Sequence, residues 1–373
     1  MDDSDPLDPA FVAAFQLSLI SGVGPRTRKA LLAHFGSAAA ALSASEHELR
    51  QVDGIGQKVS RNIVHARTEI DAAAELRICR EHGIQVVVEG ADDYPRLLSE
   101  IFDPPGALFV RGSLHKSDGL SLAIVGTRHA THYGLAQSER LASGLSRAGY
   151  TIVSGLARGI DSAAHRAAIS SGGRTLAILG SGVLNIYPPE HTELADEVIQ
   201  HGAVISEAPP RSPPISGAFP QRNRIISGLC LGVIVVEASE RSGALITARH
   251  AMEQGREVFA VPGRVDSRAS RGCHRLIRDG AKLVETVDDV LEELGPLVEA
   301  TPRDDGRAIR HPIELQLNEP EQAVLAAVTD EPTSIDAVVA ASGLSVPNVL
   351  STISVLEMKK LIRRVSGNRV MRA

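Results

Sequence analysis

Arg222, Asn223 and Arg224 stand in a row ahead of an uncharged apolar run, Leu229 to Val236. Glu237, a turn and the segment Ser242-Gly243-Ala244-Leu245-Ile246-Thr247-Ala248 come next. Guanidinium groups suit bidentate contact with phosphate oxygens. Small residues that open a helix leave its first-turn N–H groups without internal partners, aimed at whatever lies beyond the preceding strand. A basic cluster and a helix N-terminus beyond one sheet edge make a site for anions. Related stretches recur after other apolar runs: Gly126-Thr127-Arg128, Ser154-Gly155-Leu156-Ala157-Arg158-Gly159, Gly180-Ser181-Gly182 and Pro262-Gly263-Arg264. Glycines and hydroxyls at several such ends predict a row of exposed backbone N–H donors.

Other chemistries fit the spacing poorly. Gly126-Thr127-Arg128 is not GxGxxG, Gly180-Ser181-Gly182 lacks a third glycine, and the second strand ends in Ser154 and not in an acid that could hold a ribose. There is no GxxxxGK[ST] phosphate loop and no Cys or His spacing of a metal site, so neither cofactor nor metal is expected. Glu207 and Glu237 both end strands and could pair as acid and base, and Ser154, Asp161 and His165 could be assembled into a nucleophilic set. Asp161 is read more simply as an early-helix acid that favours the dipole, and His165 as a packed or hydrogen-bonded histidine.

The elements that must position these groups alternate in type. Strands are expected at Leu122–Val125, Thr151–Ser154, Thr175–Leu179, Val204–Glu207, Val233–Glu237 and Val258–Val261. Helices are expected at Tyr133–Ala148, Ile160–Ser171, Leu194–His201, Ala244–Gln254 and Val287–Leu294. That order argues for an α/β fold, a doubly wound, mostly parallel Rossmann-like sheet over residues 71–295. Residues 72–114, with several prolines, read as an extension packed on that sheet. Residues 1–70 read as a small helical domain in which Ile20-Ser21-Gly22-Val23-Gly24 and Val52-Asp53-Gly54-Ile55-Gly56 each lead into a helix. The pair resembles a helix-hairpin-helix tandem, whose glycines let backbone amides approach a phosphate; a compact interaction module is the alternative. Residues 296–318 read as a linker. Residues 319–373 read as a winged helix whose third helix has no basic residue before Lys359, which favours protein docking over base reading.

Composition bounds the partners. Net charge is −6, against a protein that coats nucleic acid everywhere, yet Arg211 to Arg278 holds eleven Arg, no Lys and five acids. Aromatic content is 3% with no Trp, so stacking platforms for bases are few. Cys79, Cys230 and Cys273 read as buried or incidental thiols of a reducing compartment. No apolar run approaches a membrane span, and the acidic N-terminus lacks a basic segment ahead of an apolar one, so the reading is cytosolic.

Across the core the chain resembles the DprA/Smf family of DNA-processing proteins of natural transformation. The resemblance rests on Val125-Gly126-Thr127-Arg128 with Tyr133-Gly134, on Ser154 to Asp161 with Ala164-His165, and on Leu179-Gly180-Ser181-Gly182 and Tyr187-Pro188-Pro189-Glu190. It continues through Ser206-Glu207, Phe219-Pro220 with Arg222 to Gly228, Glu237-Ala238, Ser242-Gly243 with Thr247-Ala248, and Val261-Pro262-Gly263. It implies a non-catalytic, cytoplasmic protein that binds and protects single-stranded DNA, forms a homodimer through the Rossmann-like domain and loads RecA recombinase. Arg128, Phe219, Arg222 and Arg224 match positions that touch DNA in the family. The chain departs from the family at Ser216-Gly217-Ala218, where some members carry a basic residue, and at Gly272-Cys273-His274, where many read Gly-x-Asn.

The expected site is therefore a groove for the phosphates of single-stranded DNA, built from Gly126, Thr127, Arg128, Ser154, Gly155, Gly180, Ser181, Gly182, Phe219, Arg222, Asn223, Arg224, Ser242, Gly243 and Thr247. Arg128, Arg222 and Arg224 would carry its charge. This requires that Arg128 and Arg224 not be locked into internal carboxylates. A rival is an enzyme resembling nucleotide phosphoribohydrolases, which need a PGGxGTxxE acid; the nearest match, Ser242 to Arg249, has none. A third reading is a protein-docking scaffold that uses its end domains.

Overall fold

Residues along the central strands alternate between two apolar cores, and this fixes the layers. Ala123 and Val125 face one core with Val153, Ile178, Val233 and Val235; Leu122 and Ile124 face the other with Ile152, Ile234 and Val236. Strands covered on both faces read as continuous apolar runs, as these do. In the computed structural model, residues 8–295, 301–302, 308–309, 313–314, 317–329, 331–359, 361–365 and 368–372 are described.

In chain order, α1 (Pro9–Ser18), α2 (Pro25–Phe35), α3 (Ala38–Ser43), α4 (Glu46–Leu49) and α5 (Gln57–Glu69) form the N-terminal helices, and α6 (Ala72–Glu81) follows. The core then runs β1 (Gln85–Val88), α7 (Arg96–Ser99), β2 (Ala107–Gly112), β3 (Ser121–Val125), α8 (His132–Arg147), β4 (Thr151–Ser154), α9 (Ile160–Ser170), β5 (Thr175–Leu179), α10 (Thr192–His201) and β6 (Gly202–Ser206). It continues with α11 (Ala218–Gly228), β7 (Gly232–Val235), α12 (Ala244–Glu253), β8 (Glu257–Ala260), α13 (Arg271–Arg278), β9 (Lys282–Leu283) and α14 (Val287–Leu294). Two short paired strands, β10 (Thr301–Pro302) and β11 (Ala308–Ile309), precede the C-terminal unit: α15 (Glu319–Ala327), β12 (Thr333–Ser334), α16 (Ile335–Ser342), α17 (Val346–Met358), β13 (Ile362–Val365) and β14 (Arg369–Arg372).

The sheet order is β1-β2-β6-β5-β4-β3-β7-β8-β9, parallel from β6 to β9, with β1 and β2 antiparallel at one edge. Chain direction reverses at β3, so the switch point lies between β3 and β7, and the carboxyl ends of β3 to β8 share one rim. Helices α11, α12 and α13 cover one face; α8, α9, α10 and α14 cover the other.

The structure adjusts several expectations. Glu207 and Glu237 fall just past their strands, because β6 ends at Ser206 and β7 at Val235. The Arg222-Asn223-Arg224 row lies on α11, an element the sequence reading leaves unassigned because its apolar positions are few and Gly228 and Pro220 interrupt the period. The 72–114 extension joins the sheet as its antiparallel edge. Gly24 and Gly56 are N-caps of α2 and α5, so these glycines open helices and do not close them, while Gly22 and Gly54 supply the positive φ of each hairpin.

The winged-helix pattern is realised, with Val338, Val349, Ile353 and Leu356 in a core of its own. Most of the expected 296–318 linker, and the wing-tip residues Ser366 and Gly367, lie outside the described residues. Among the described residues no single helix is long and apolar enough to cross a membrane; the one bent pair that passes by composition is α16 with α17 of this domain.

Candidate nucleic-acid interface

Phe219, near the start of α11, is the centre of the concave rim. Gly180, just past β5, lets the ring lie against the backbone: a Cβ there would come 3.0 Å from it. The Arg128 guanidinium, on the loop after β3, stands 5.6 Å from the ring centre, a cation–π distance. Tyr187, after β5, approaches with 5.5 Å between centres at a tilt of 46°. Gly155, Ala157, Arg158 and Pro188 complete the lining, with Arg222 as the floor. Arg128 is exposed and has no carboxylate within ion-pair distance among the described residues. Charge without a partner beside an aromatic ring suits a phosphodiester and its base.

Arg222 has a different role from the expected one. It is only 7% exposed, and one Nη donates to the carbonyls of Gly155 (2.9 Å) and Ile178. Burial lowers it to about 10, while the nearby Asp161 charge works the other way. Asp161 is buried and accepts from the amides of Gly155 (3.1 Å) and Ala157. Burial raises its carboxyl; Arg222 and these amides oppose that rise. Arg222 and Asp161 therefore hold the loop after β4 from below. Asp161 is a backbone clamp more than a dipole acid.

Arg224 fails the condition set by the sequence reading. Its side chain is 14% exposed, and its two Nη atoms donate to Glu207 at 2.9 and 2.8 Å while Nε donates to the Asp103 carbonyl at 3.0 Å. The Asp103 carboxylate is a second ion-pair partner at 3.3 Å. Burial pulls the guanidinium down, but Glu207 and Asp103 outweigh it and hold Arg224 above its ordinary range. Its charge is offset by Glu207 and Asp103 at the surface. The reason is position: one helical turn orients Phe219 and Arg222 toward β4 and β5, and Arg224 toward Glu207 at the end of β6.

Part of the expected row of amides is taken up internally. Thr127 N donates to Glu237 O (2.7 Å), Gly155 N to Asp161, Gly182 N to Ser212 O and Ser242 N to Ser239 O. Gly126 is glycine because Ile160 and the Glu237 carbonyl crowd it. Ser154 Oγ donates to Ile124 O, and Ser181 Oγ is buried with no partner among the described residues. Asn223 donates to Gly243 O at 3.3 Å, which ties α11 to the turn before α12; Gly243 is exposed and Thr247 buried. Arg128, Gly155, Gly180, Phe219 and Arg222 thus come together, while Arg224, Ser242, Gly243 and Thr247 lie to either side. Arg158 and Tyr187 belong to the site yet are absent from the expected set, although both lie in loops the sequence reading singles out. A charge and one of only four tyrosines at consecutive strand ends were the available signal.

The catalytic alternatives do not assemble. His165 is buried, with Nδ1 2.7 Å from Thr175 Oγ1, and burial, then His191 and Arg222, lowers it to about 3. Glu237 accepts from Thr131 N (2.9 Å) and Thr131 Oγ1 (2.6 Å) at the start of α8, inside a cleft of about 660 Å³. Glu207 is four strand spacings away, about 19 Å. Burial raises the thiols of Cys79, Cys230 and Cys273 to about 12, so they stay protonated. At the departure Gly272-Cys273-His274, the His274 ring contacts Gly263 O at 3.0 Å and so secures the loop after β8.

Residues 85–295 match the family described as DNA recombination-mediator protein A, residues 310–368 a DprA winged helix domain, and residues 16–67 a SAM-like helix-hairpin-helix tandem. The chain is 35% identical to Protein Smf of Synechocystis sp. over 95% of this chain and 97% of that one. It is 44% identical to Protein Smf of Escherichia coli over 74% of each. The X-ray structure of DNA processing protein A from Streptococcus pneumoniae superposes with a TM-score of 0.67 at 37% identity, covering 76% of this chain and 97% of that one. A structure concerned with the single-stranded DNA binding mode of DNA processing protein A from Helicobacter pylori gives 0.52 at 29% identity, covering 58% and 98%.

Proposed function

The chain belongs to the DNA recombination-mediator protein A (DprA/Smf) family, and from that premise we propose that it binds single-stranded DNA, with little sequence preference, on the rim around Phe219. The observation that carries this reading is Arg128, exposed, without a carboxylate partner among the described residues and set against an aromatic ring, at the carboxyl ends of parallel strands. The related protein from Helicobacter pylori is described as binding single-stranded DNA. The protein acts by holding the strand and not by covalent chemistry. Arg128 engages a phosphate, and Phe219 with Tyr187 offers a stacking surface. Titration of labelled single- and double-stranded oligonucleotides over a range of salt tests this. Preference for the single strand, with affinity falling by about 0.7 log units per log unit of salt for each phosphate neutralised, is expected. Equal affinity for both forms, or none, would refute it.

The finer steps are part of the same proposal. The bound strand is shielded and passed to RecA recombinase in the cytoplasm during transformation, and the protein works as a homodimer of its Rossmann-like domain. An open sheet edge supports self-association: among the described residues β9 pairs with β8 alone, and Leu283 on it is 41% exposed. Sedimentation of a Leu283→Arg variant as monomer, beside a dimeric parent, is the expected result. Nuclease protection and RecA-dependent strand pairing on coated DNA test the rest.

A further inference from the structure

We propose that Arg158 is an additional phosphate contact of this site and that Glu190 is its latch, occupying the guanidinium until a strand displaces it; this rests on the single-strand reading above. Arg158 lines the same concavity as Arg128, Tyr187 and Phe219. Its Nε donates to Glu190 Oε1, and the two side chains are 51% and 49% exposed. Its two Nη groups have no hydrogen bond among the described residues, so one side of the guanidinium fork remains open to oxygen acceptors. A solvent-exposed pair of this kind is weak, and a polyanion can compete for the cation.

The backbone beneath is fixed, so the exchange needs side-chain rotation alone. Gly159, next to Arg158, has φ +76°, and a Cβ there would strike the Thr127 carbonyl. His191, next to Glu190, is buried with Nδ1 2.8 Å from Leu156 O, which joins the two loops. Arg222 and Arg224 lack this freedom: Arg222 is buried beneath the loop after β4, and Arg224, its side chain 14% exposed, is held by Glu207 and Asp103. With the latch closed Arg128 is uncompensated among the described residues; with it open, Arg158 joins it. Glu190 thus weakens the grip on a strand, which suits a protein that must give the strand up.

The test measures single-strand affinity by anisotropy of labelled oligothymidylate across a salt series, for the full chain and for E190Q, R158A, R158A/E190Q and R128A. E190Q should bind about five-fold tighter at 0.1 M salt and steepen the salt dependence by about 0.7 log units per log unit. R158A should weaken binding, and adding E190Q to R158A should change it by less than about two-fold. If E190Q tightens binding equally in both backgrounds, Glu190 only repels DNA from the rim and the latch is wrong. If neither E190Q nor R158A changes affinity while R128A does, the latch fails and the single-strand site stands. If R128A too is without effect, the site itself is misplaced. Unchanged melting temperatures are expected for E190Q and R158A, since both side chains lie half in solvent.

Discussion

Arg128→Ala and Arg224→Ala remove the same charge from neighbouring motifs, and they should fail in different assays. Arg128 is exposed and without a carboxylate partner among the described residues, so its loss deletes one phosphate contact. One contact on a single strand changes the salt slope by about 0.7; across a tenfold dilution from 1 M to 0.1 M salt this is about five-fold in affinity. The fold should not notice. Arg224 makes two charge-assisted bonds to Glu207 and contacts Asp103, and its side chain is 14% exposed. Such bonds contribute about 1.5–3 kcal/mol each. Glu207 and Asp103 are 42% and 55% exposed, so water replaces much of what is lost. A net loss of about 2 kcal/mol is expected in urea unfolding, with the salt slope unchanged. A slope change in R224A with no loss of stability would show that the clamp opens to DNA. An unchanged slope in R128A would show that the rim around Phe219 is not the phosphate site.

Phe219→Ala should reduce single-strand affinity by about 1–3 kcal/mol at any salt, with little change in slope, because stacking and not charge is removed. Gly155→Ala should destabilise by about 2 kcal/mol in thermal or urea unfolding, since its Cβ would stand 2.6 Å from the Arg222 guanidinium, which has nowhere to move. His165, held near 3 when folded against 6.5 ordinarily, makes the unfolded chain bind more protons between those values, so stability falls as pH drops below about 6.5. At pH 5 the loss is about 2 kcal/mol relative to pH 7, and His165→Gln should flatten that part of the urea-unfolding profile.

The sheet was legible because each central strand is a short apolar run bounded by turn signals, and parallel strands covered on both faces need no alternation. The rim followed from it, since ligand sites on such sheets lie beyond the strand ends. What could not be read was where each side chain on α11 turns. Arg222 and Arg224 are two residues apart, about 200° around a helix, so one becomes the floor of the site and the other the partner of Glu207. A row of arginines in sequence says nothing of that division until the helix is known, and α11 has no clear apolar period to announce it. Some of the amides are taken up for a related reason. The acceptors of Thr127 N and Gly182 N, Glu237 O and Ser212 O, lie far along the chain, and such long-range satisfaction leaves no local signature.

Arg28 and Phe15 bear on how the chain may be dissected. Phe15 of α1 meets Phe109 of β2 edge to face at 5.7 Å, and Arg28 of α2 sinks beside Glu89 and donates to Val23 O. A deletion ending at residue 70 would strip a ring from the sheet's apolar layer and leave the Glu89 carboxylate without its cation. Lost DNA binding in such a fragment would report a wounded scaffold and not a missing reader. The C-terminal domain, with a self-contained core, can be cut away without that ambiguity.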